Sequence, residues 1–413
     1  MNLFHIISIL IVLSALFSYL NFRYLKAPQS IGLMVFSLIF SMVLLAIGNY
    51  NPSFRAAEIS IFERIDFSEL LLEIMLSFML FAGSIHINSE DLKTESLSIA
   101  VYATVSVVIS TFIIGYGAYF ILGMFGITVS LIHALLFGAL ISPTDPIAVL
   151  SILKTSGISK SLQTKMAGES LFNDGVAVVI FIILLQLSSP GAEVTFSNVL
   201  SLFFREAIGG LALGIFLGYA GFRLIASIDN YKIEVLLTLA IVMGGYTLSY
   251  FIHVSGPLAM VAAGLIIGNP GKKLGMSHTT REYLDKFWEL IDDIFNAILF
   301  VLIGLELVII PIEKKIVFLS LLLVVVSLLA RYISVLIPSL VIRLKEEITR
   351  NTILILTWGG LRGGISIALA LSIPAQMNKE IWVTMTYVIV CFSILVQGLT
   401  IGKLARKKSD RGN

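Results

Sequence analysis

A polar segment at residues 168–175 has the sequence Gly-Glu-Ser-Leu-Phe-Asn-Asp-Gly and interrupts a long apolar stretch. Side chains four positions apart share a helix face, so Glu169 and Asn173 lie on one face and Ser170 and Asp174 on the next. Two carboxylates at bilayer depth are costly to bury, so this cluster predicts a functional site. The alternative is a structural role, in which the polar faces hydrogen-bond to neighbouring helices.

A second polar interruption, Ile-Ser-Pro-Thr-Asp-Pro, occupies residues 141–146. Pro143 and Pro146 remove backbone donors and disfavour helical geometry at the residues before them, so the helix should open there. Irregular backbone at membrane depth is tolerated only where it is buried in protein or lines a watery cavity. A simple proline kink is the alternative, but Asp145 between the prolines favours an opened helix at a functional site.

A third polar stretch, residues 357–366, carries four glycines around Arg362. Each glycine weakens a helix by about 1 kcal/mol relative to alanine, so a second interrupted helix is predicted. Close helix packing through the glycines is the alternative. Arg362 argues against packing as the sole explanation.

The ionisable side chains deep in apolar stretches set up a charge balance. They are Glu73, Asp145, Glu169, Asp174, Arg331 and Arg362. If Arg331 pairs with Glu169 and Arg362 with Glu73, two acids remain. Helix dipoles at the interruptions can stabilise Asp145, which leaves Asp174 without a fixed counter-charge. Such a carboxylate must hold a proton or a cation, and a site that cannot hold both couples their opposite movements.

The composition is that of an all-α polytopic membrane protein. Hydrophobic residues make up 57% of 413, charged residues 13%, and the mean hydropathy is +0.98. These values exclude a large soluble protein. The single cysteine, Cys391, cannot form an intramolecular disulfide. No linker is long enough for a soluble domain; the longest are 49–69 and 269–289, and the second predicts a short interfacial helix or a solvated connector.

Thirteen candidate transmembrane spans are predicted from the apolar stretches. They lie near 3–22, 30–48, 67–85, 97–122, 127–151, 166–188, 199–227, 233–253, 255–268, 291–310, 315–342, 351–374 and 380–402. Most of the 28 Lys and Arg residues fall in connections on one side of the membrane. The positive-inside rule then predicts an N-terminus outside and a C-terminus in the cytoplasm.

The two interrupted spans are the fifth and the twelfth, so they run in opposite directions. Spans 1–6 and 8–13 can therefore be inverted repeats with the seventh as a connector. Interrupted segments at corresponding positions of two inverted halves point to a secondary-transporter site near the midplane. The expected fold has about 13 transmembrane helices in two inverted repeats, with two broken helices that cross at the midplane.

Four motifs together resemble the sodium/proton antiporters of the NhaP and NHE type, over essentially the whole chain. They are Gly-Glu-Ser-Leu-Phe-Asn-Asp-Gly at 168–175, Ser-Pro-Thr-Asp-Pro at 142–146, Ala330-Arg331, and Gly-Gly-Leu-Arg-Gly-Gly at 359–364. The resemblance implies a homodimer and an elevator-like core. The dimerisation domain would comprise residues 1–96 and 191–312, the core 97–190 and 313–405, and a short cytoplasmic tail 406–413. The absence of a long regulatory tail suggests a prokaryotic cell membrane.

The resemblance also implies roles at the site. Asp174 would bind the cation and the proton, while Ser170 and the backbone carbonyl of Thr144 would be ligands of the transported Na⁺. Asp145 would support the site through water or the helix ends.

Three further roles follow from the same resemblance. Glu169 would pair with Arg331, and Asn173 would hold the site open by hydrogen bonding. Asn173 stands where electrogenic relatives carry a second aspartate, which implies electroneutral one-for-one exchange. Glu73 and Arg362 would form a bridge between the domains.

The expected function is exchange of Na⁺ or Li⁺ for H⁺ without a cofactor, and not an enzymatic reaction. A K⁺/H⁺ antiporter and a cation channel are the alternatives, because carboxylate, hydroxyl and carbonyl ligands do not rank the small cations. An intramembrane aspartyl protease using Asp145 and Asp174 would leave the inverted halves unexplained. The expected partners are the lipid bilayer of the cell membrane, a second copy of the chain and small monovalent cations, with no nucleic acid.

Overall fold

The computed structural model describes residues 3–51, 70–145, 149–150, 153, 158–189, 195–271, 276–308, 310, 313–342 and 349–409. The predicted connector at 49–69 lies almost entirely outside these residues. Within the described part the architecture is helical, and the one extended pairing is an isolated antiparallel bridge between Asp145 and Leu361.

The helices are numbered here in chain order. They are α1 Leu3–Leu20, α2 Gln29–Tyr50, α3 Leu76–Ile85, α4 Ser89–Thr94, α5 Ser96–Met124, α6 Leu131–Ile141, α7 Lys160–Leu187, α8 Phe196–Ile225, α9 Tyr231–Phe251, α10 Gly256–Ile266, α11 His278–Glu306, α12 Lys314–Ile342, α13 Arg350–Trp358, α14 Gly364–Leu371, α15 Lys379–Phe392 and α16 Gly398–Ser409. Short π-helical turns extend or join several of them, among them Leu70–Met75 before α3 and Ser393–Gln397 between α15 and α16.

Among the described helices, eight are long and apolar enough to cross a membrane by length and composition. Each of the thirteen predicted spans overlaps at least one helix, but the number of crossings remains a prediction. The two predicted interruptions are confirmed. Helix α6 ends at Ile141, and residues 359–363 separate α13 from α14.

Side-chain caps fix where the helices around the interruptions begin. Ser130 starts α6 by accepting a hydrogen bond from the His133 amide, and Thr349 does the same for α13. Ser159 accepts from the Leu162 amide at the start of α7. Caps of this type satisfy amides that have no partner inside the helix. The Ser159 cap fixes where α7 begins, and residues 169–174 follow within this helix.

The helices pack in two groups. Helices α5, α6, α7, α12, α14 and α15 contact mainly one another, and so do α2, α3, α8, α9, α10 and α11. The contacts of α7 with α8 and α10, and those of α11 with α14, join the groups. The interrupted segments belong to the first group and face α3 and α11 of the second.

Of the two predictions for residues 269–289, the helix is confirmed from His278 and the solvated connector is wrong there, but the helix is not a short separate one. From His278 onward it is the first part of α11, which runs without interruption to Glu306. Leu284 and Trp288 are fully buried, and the Trp288 indole donates a hydrogen bond to Thr238 Oγ1 at 3.1 Å. Charged residues on the opposite face of this segment make it resemble a surface segment in the sequence, although the helix continues into the protein.

The predicted inventory of buried charges was also incomplete. Among the residues that the structure describes, five further acidic or basic side chains are at most 9% exposed: Glu95, Lys165, Glu206, Glu234 and Glu306. Lys165 Nζ lies 3.1 Å from Glu95 Oε2. These residues lie near predicted span ends, where a sequence places them in headgroups or water. Tertiary packing buries them instead.

Candidate functional site

The two interrupted segments meet directly. The Asp145 amide donates a hydrogen bond to the Leu361 carbonyl at 2.8 Å, between residues that both lie in the non-helical parts of the chain. This contact joins one interruption from each half of the sequence. The carbonyls and amides that the breaks release therefore lie around one crossing.

Arg362 stabilises the open end of α6. Its Nη1 donates to the carbonyls of Ser142 at 2.6 Å and Pro143 at 3.1 Å, and its side chain is buried. These carbonyls follow the last turn of α6, where the helix dipole places partial negative charge. A guanidinium supplies several donors in a fixed plane, which suits two neighbouring acceptors.

Arg331 donates to a backbone carbonyl near the end of α13 and also forms an ion pair. Its Nε and Nη2 donate to the Leu356 carbonyl at 3.3 and 3.1 Å, and Nη1 lies 2.5 Å from Glu169 Oε1. Each of the two interrupted segments thus has one buried arginine on the carbonyls of its first half-helix. The ion pair ties α12 to α7.

Asp145 lies beside the start of α14. A Cβ atom added to Gly363 would be 2.7 Å from Asp145 Oδ2, so the carboxylate approaches the Gly363 backbone closely. Gly363 is the N-cap of α14, where the first amides of the helix have no helical partner. A carboxylate is electrostatically stabilised at such an end. Any larger residue at position 363 would displace it.

Helix α7 holds the backbone of the first interruption at Thr144. Asn173 Nδ2 donates to Thr144 Oγ1 at 2.9 Å, and Asn173 Oδ1 accepts from the Thr144 amide at 3.4 Å. Ser170 Oγ donates to the Thr144 carbonyl at 2.6 Å. A hydroxyl oxygen and a backbone carbonyl oxygen are thereby held next to each other, and both are ligand types that suit a hard cation.

Asp174 faces a cavity of about 180 Å³ at this crossing. The cavity wall also includes Thr144, Asp145 and Ser170. Asp174 is 9% exposed, and no residue in the described part of the chain donates a hydrogen bond to its carboxylate or forms an ion pair with it. Both arginines of the charge balance are held elsewhere, so Asp174 is a buried acid that can take a proton or a cation.

Comparison with known proteins identifies the family of this chain. A family model described as "Sodium/hydrogen exchanger, transmembrane" matches residues 11–407. The chain belongs to the sodium/hydrogen exchanger family. It is therefore a multi-pass membrane protein of a family of secondary transporters, not of enzymes.

Relatives within the sodium/hydrogen exchanger family align over nearly the full length. The chain is 46% identical to the Na⁺/H⁺ antiporter NhaP of Pseudomonas aeruginosa over 97% of this chain and 96% of that protein. It is 34% identical to the Na⁺/H⁺ antiporter NhaH of Halobacillus dabanensis, over 93% of each. The fold matches the sodium proton antiporter MjNhaP1 of Methanocaldococcus jannaschii with a TM-score of 0.75, at 20% identity over 98% of both chains.

Two polar residues that line the cavity were not predicted from the sequence. Asp292 on α11 and Ser366 on α14 line the same cavity as Asp174. The signal for Asp292 was its spacing, because it follows the buried Trp288 by four positions and precedes the buried Leu299 by seven. Ser366 carries no comparable signal, since an isolated serine in an apolar helix is common.

One predicted contact cannot be placed. The backbone of Glu73 lies in the π-helical turn Leu70–Met75, but its side chain is outside the described atoms. The bridge between Glu73 and Arg362 therefore stays a prediction. The described partners of Arg362 are backbone carbonyls and the Ser393 hydroxyl.

Proposed function

We propose that this protein exchanges Na⁺ for H⁺ across the membrane, with the two ions competing for Asp174. The observation that carries the proposal is the position of Asp174, a buried carboxylate that faces a cavity beside the Ser170 hydroxyl and the Thr144 carbonyl. Arg331 forms an ion pair with Glu169, and Arg362 donates to backbone carbonyls, so neither arginine is paired with Asp174. An unpaired carboxylate at this depth requires a proton or a cation.

The choice of Na⁺ is supported by the relatives. Those from Pseudomonas and Halobacillus are both named Na⁺/H⁺ antiporters, and the first is 46% identical to this chain. Li⁺ is proposed as a second substrate, because the same oxygen ligands suit both ions. The alternative functions are K⁺/H⁺ antiport and a cation channel. The transport assay below distinguishes both from Na⁺/H⁺ exchange.

Electroneutral one-for-one exchange is proposed from Asn173. This side chain is neutral, and its amide is used on both sides to hold Thr144. Asp174 is then the one titrating carboxylate that binds the transported ion, and Asp145 is stabilised at the α14 N-terminus. One carboxylate that holds either one Na⁺ or one H⁺ exchanges equal charges.

We also propose an elevator mechanism, in which the group containing α5, α6, α7, α12, α14 and α15 moves past the group containing α3 and α11. Support comes from the cavity, which is lined by Asp174 of the first group and by Met79 and Asp292 of the second. We propose the division of the two domains at 1–96, 97–190, 191–312 and 313–405 as part of the same mechanism. Helices α1, α8 and α9 contain the least buried spans and are proposed to form a homodimer in the cell membrane. The C-terminus is proposed to be cytoplasmic.

The test is Na⁺-driven proton movement in proteoliposomes with an internal pH dye, with and without a clamp of the membrane potential. Wild type and Asp174→Asn are compared, and Li⁺ and K⁺ replace Na⁺ in parallel. The control is Asp293→Asn, which removes an exposed carboxylate that does not line the Asp174 cavity. We expect clamp-independent exchange that is lost only in Asp174→Asn. Exchange retained in Asp174→Asn, or potential-driven flux without proton coupling, would contradict the proposal.

A further inference from the structure

Helix α7 carries three polar side chains on one face that bond it to other elements. Lys165, Glu169 and Asn173 are spaced four residues apart, so they follow one another along one side of the helix over about 12 Å. Glu169 pairs with α12, and Asn173 holds the interruption at 141–146. Lys165 contacts Glu95, which lies at the junction of α4 and α5. Each of the three side chains therefore bonds α7 to a different part of the protein.

Both oxygens of the Glu95 carboxylate have a partner on α7. Lys165 Nζ lies 3.1 Å from Oε2, and Ser161 Oγ donates a hydrogen bond to Oε1 at 2.5 Å. Glu95 and Lys165 are both buried. Burial of two charges is costly, and only close pairing with further hydrogen bonds offsets that cost. The two side chains are therefore held in a defined position relative to each other.

The pair lies at the beginning of a close contact between α5 and α7. Ile99 follows Glu95 by four residues on α5, and Gly168 follows Lys165 by three on α7. A Cβ atom added to Gly168 would be 2.6 Å from Ile99 Cδ1, so the two helices approach each other closely at this point. The ion pair and this contact, one turn apart, together set the position and rotation of α7 against α5.

The rotation of α7 decides which side chains face the cavity. Ser170 and Asp174 line it, and they lie about 100° around the helix from Glu169 and Asn173. A rotation of about 20° moves an atom on the helix surface, about 5 Å from the axis, by about 2 Å. Binding sites need their ligands within about 0.5 Å of the productive geometry. Residues that fix the rotation of α7 therefore affect ion binding without touching the ion.

A second ion pair joins α4 to α7 at the surface. Lys160 Nζ lies 2.7 Å from Asp91 Oδ2, and the Lys160 side chain is 76% exposed. Solvent screens an exposed pair of this kind, so it holds the helices only weakly. The two lysines of α7 thus make the same type of contact with the same region, one buried and one exposed.

We propose that Lys165 and Glu95 are positioning residues for ion binding, because their buried pair fixes the rotation of α7 and so directs Ser170 and Asp174 toward the cavity. The inference rests on the proposed exchange function. It adds two residues that act through α7 rather than as ligands, since Lys165 precedes Asp174 by about 14 Å along the helix. Without the pair, the first turns of α7 rotate more freely and the ligands fit Na⁺ less well.

The test measures initial exchange rates against Na⁺ concentration in proteoliposomes, with thermal unfolding on the same preparations. Lys165→Met is expected to raise the KM for Na⁺ about tenfold, a usual size for coupling between distant sites. Lys165→Arg should recover part of this loss, because it keeps the charge. A merely structural role would lower the unfolding temperature and the maximal rate, through loss of active protein, and leave the KM as in wild type.

Lys160→Met is the matched control and should leave the KM unchanged. The double variant Glu95→Gln/Lys165→Met keeps the inference testable if Lys165→Met does not fold, because it leaves neither charge buried without a partner. Its KM should also be raised, since α7 is no longer fixed at this point. A wild-type KM in the double variant would overturn the inference, and so would an equal rise in KM for Lys160→Met.

The same experiment separates this inference from the proposed function. If Asp174→Asn abolishes exchange while the Lys165 and Glu95 variants keep the wild-type KM, only this inference fails. If Asp174→Asn retains exchange, the proposed function itself fails.

Discussion

Arg331 Nη1 lies 2.5 Å from Glu169 Oε1, and the two residues are 5% and 1% exposed. The pair connects α12 with the helix that carries Asp174. Removal of one partner from a buried ion pair leaves the other charge uncompensated, whereas removal of both does not. The pair therefore supports the site without being part of the cavity wall.

Glu169→Gln and Arg331→Gln should each destabilise the protein by about 3–5 kcal/mol. Arg331→Gln should have the larger effect, because Arg331 also holds the Leu356 carbonyl. The double variant should be less destabilised than the sum of the two, which thermal unfolding in detergent can measure.

The exposed pair Lys286–Glu282, at 2.6 Å, provides the control for that experiment. Lys286→Gln should barely change the unfolding temperature, because solvent screens exposed pairs. Strictly additive effects of the Glu169 and Arg331 variants would contradict the assignment of a buried, coupled pair.

Arg362→Gln should slow exchange by more than tenfold and cost about 1–3 kcal/mol of stability, because the carbonyls of Ser142 and Pro143 lose their donor. Arg362→Lys should recover part of the stability, since an ammonium keeps the charge but not the planar fork. Exchange assays and thermal unfolding on the same preparations separate the two effects. Wild-type exchange in Arg362→Gln would show that the open end of α6 needs no guanidinium.

Gly363→Ala should displace Asp145 and reduce exchange strongly, because the new methyl group would lie 2.7 Å from the Asp145 carboxylate. The expected loss of stability is about 1–3 kcal/mol, as for an overpacked core. Gly244→Ala on α9 is the control, since the added Cβ would meet no described atom within 4 Å beyond its own stretch of helix backbone. That variant should be neutral or up to about 1 kcal/mol more stable. Equal behaviour of the two variants would argue against a close approach at Gly363.

Asn173→Ala should lower the exchange rate by releasing Thr144, because both described contacts of the Asn173 amide are to that residue. Thr144→Val should have a smaller effect, since it removes the Oγ1 acceptor and keeps the backbone amide. Proteoliposome assays at saturating Na⁺ would rank the two. A stronger defect in Thr144→Val than in Asn173→Ala would mean that the Thr144 hydroxyl itself has a role in transport.

The sequence predicted both interruptions because their causes are local. Pro143 and the glycines at 359–364 act on their own backbone, so composition alone indicates a break. The i, i+4 pairing of Glu169 with Asn173 likewise follows from helix geometry, and α7 is helical through this region. Helices and helix breaks that depend only on residues nearby in the sequence can therefore be predicted without a structure.

The contacts of Arg362 and the position of Asp292 could not be predicted in this way. A charge balance pairs charged side chains only. Arg362 instead donates to backbone carbonyls, and because every residue has one, the sequence does not indicate which carbonyls it contacts. The predicted span at 291–310 has Asp292 at its start, because the charged residues before it indicate an interfacial helix or a connector. Only the packing of Trp288 shows that α11 is already inside the protein there.

The hydrogen bond from the Asp145 amide to the Leu361 carbonyl also bears on how the protein is made. Asp145 lies in the first half of the chain and is synthesised well before Leu361 in the second half. The same holds for Glu169 and Arg331. When the first half of the chain has been inserted into the membrane, Glu169 still lacks its arginine and α6 still lacks the guanidinium that covers its carbonyls. The first half alone should therefore be a poorly stable, protease-sensitive intermediate, and the ion site is among the last parts of the molecule to be completed.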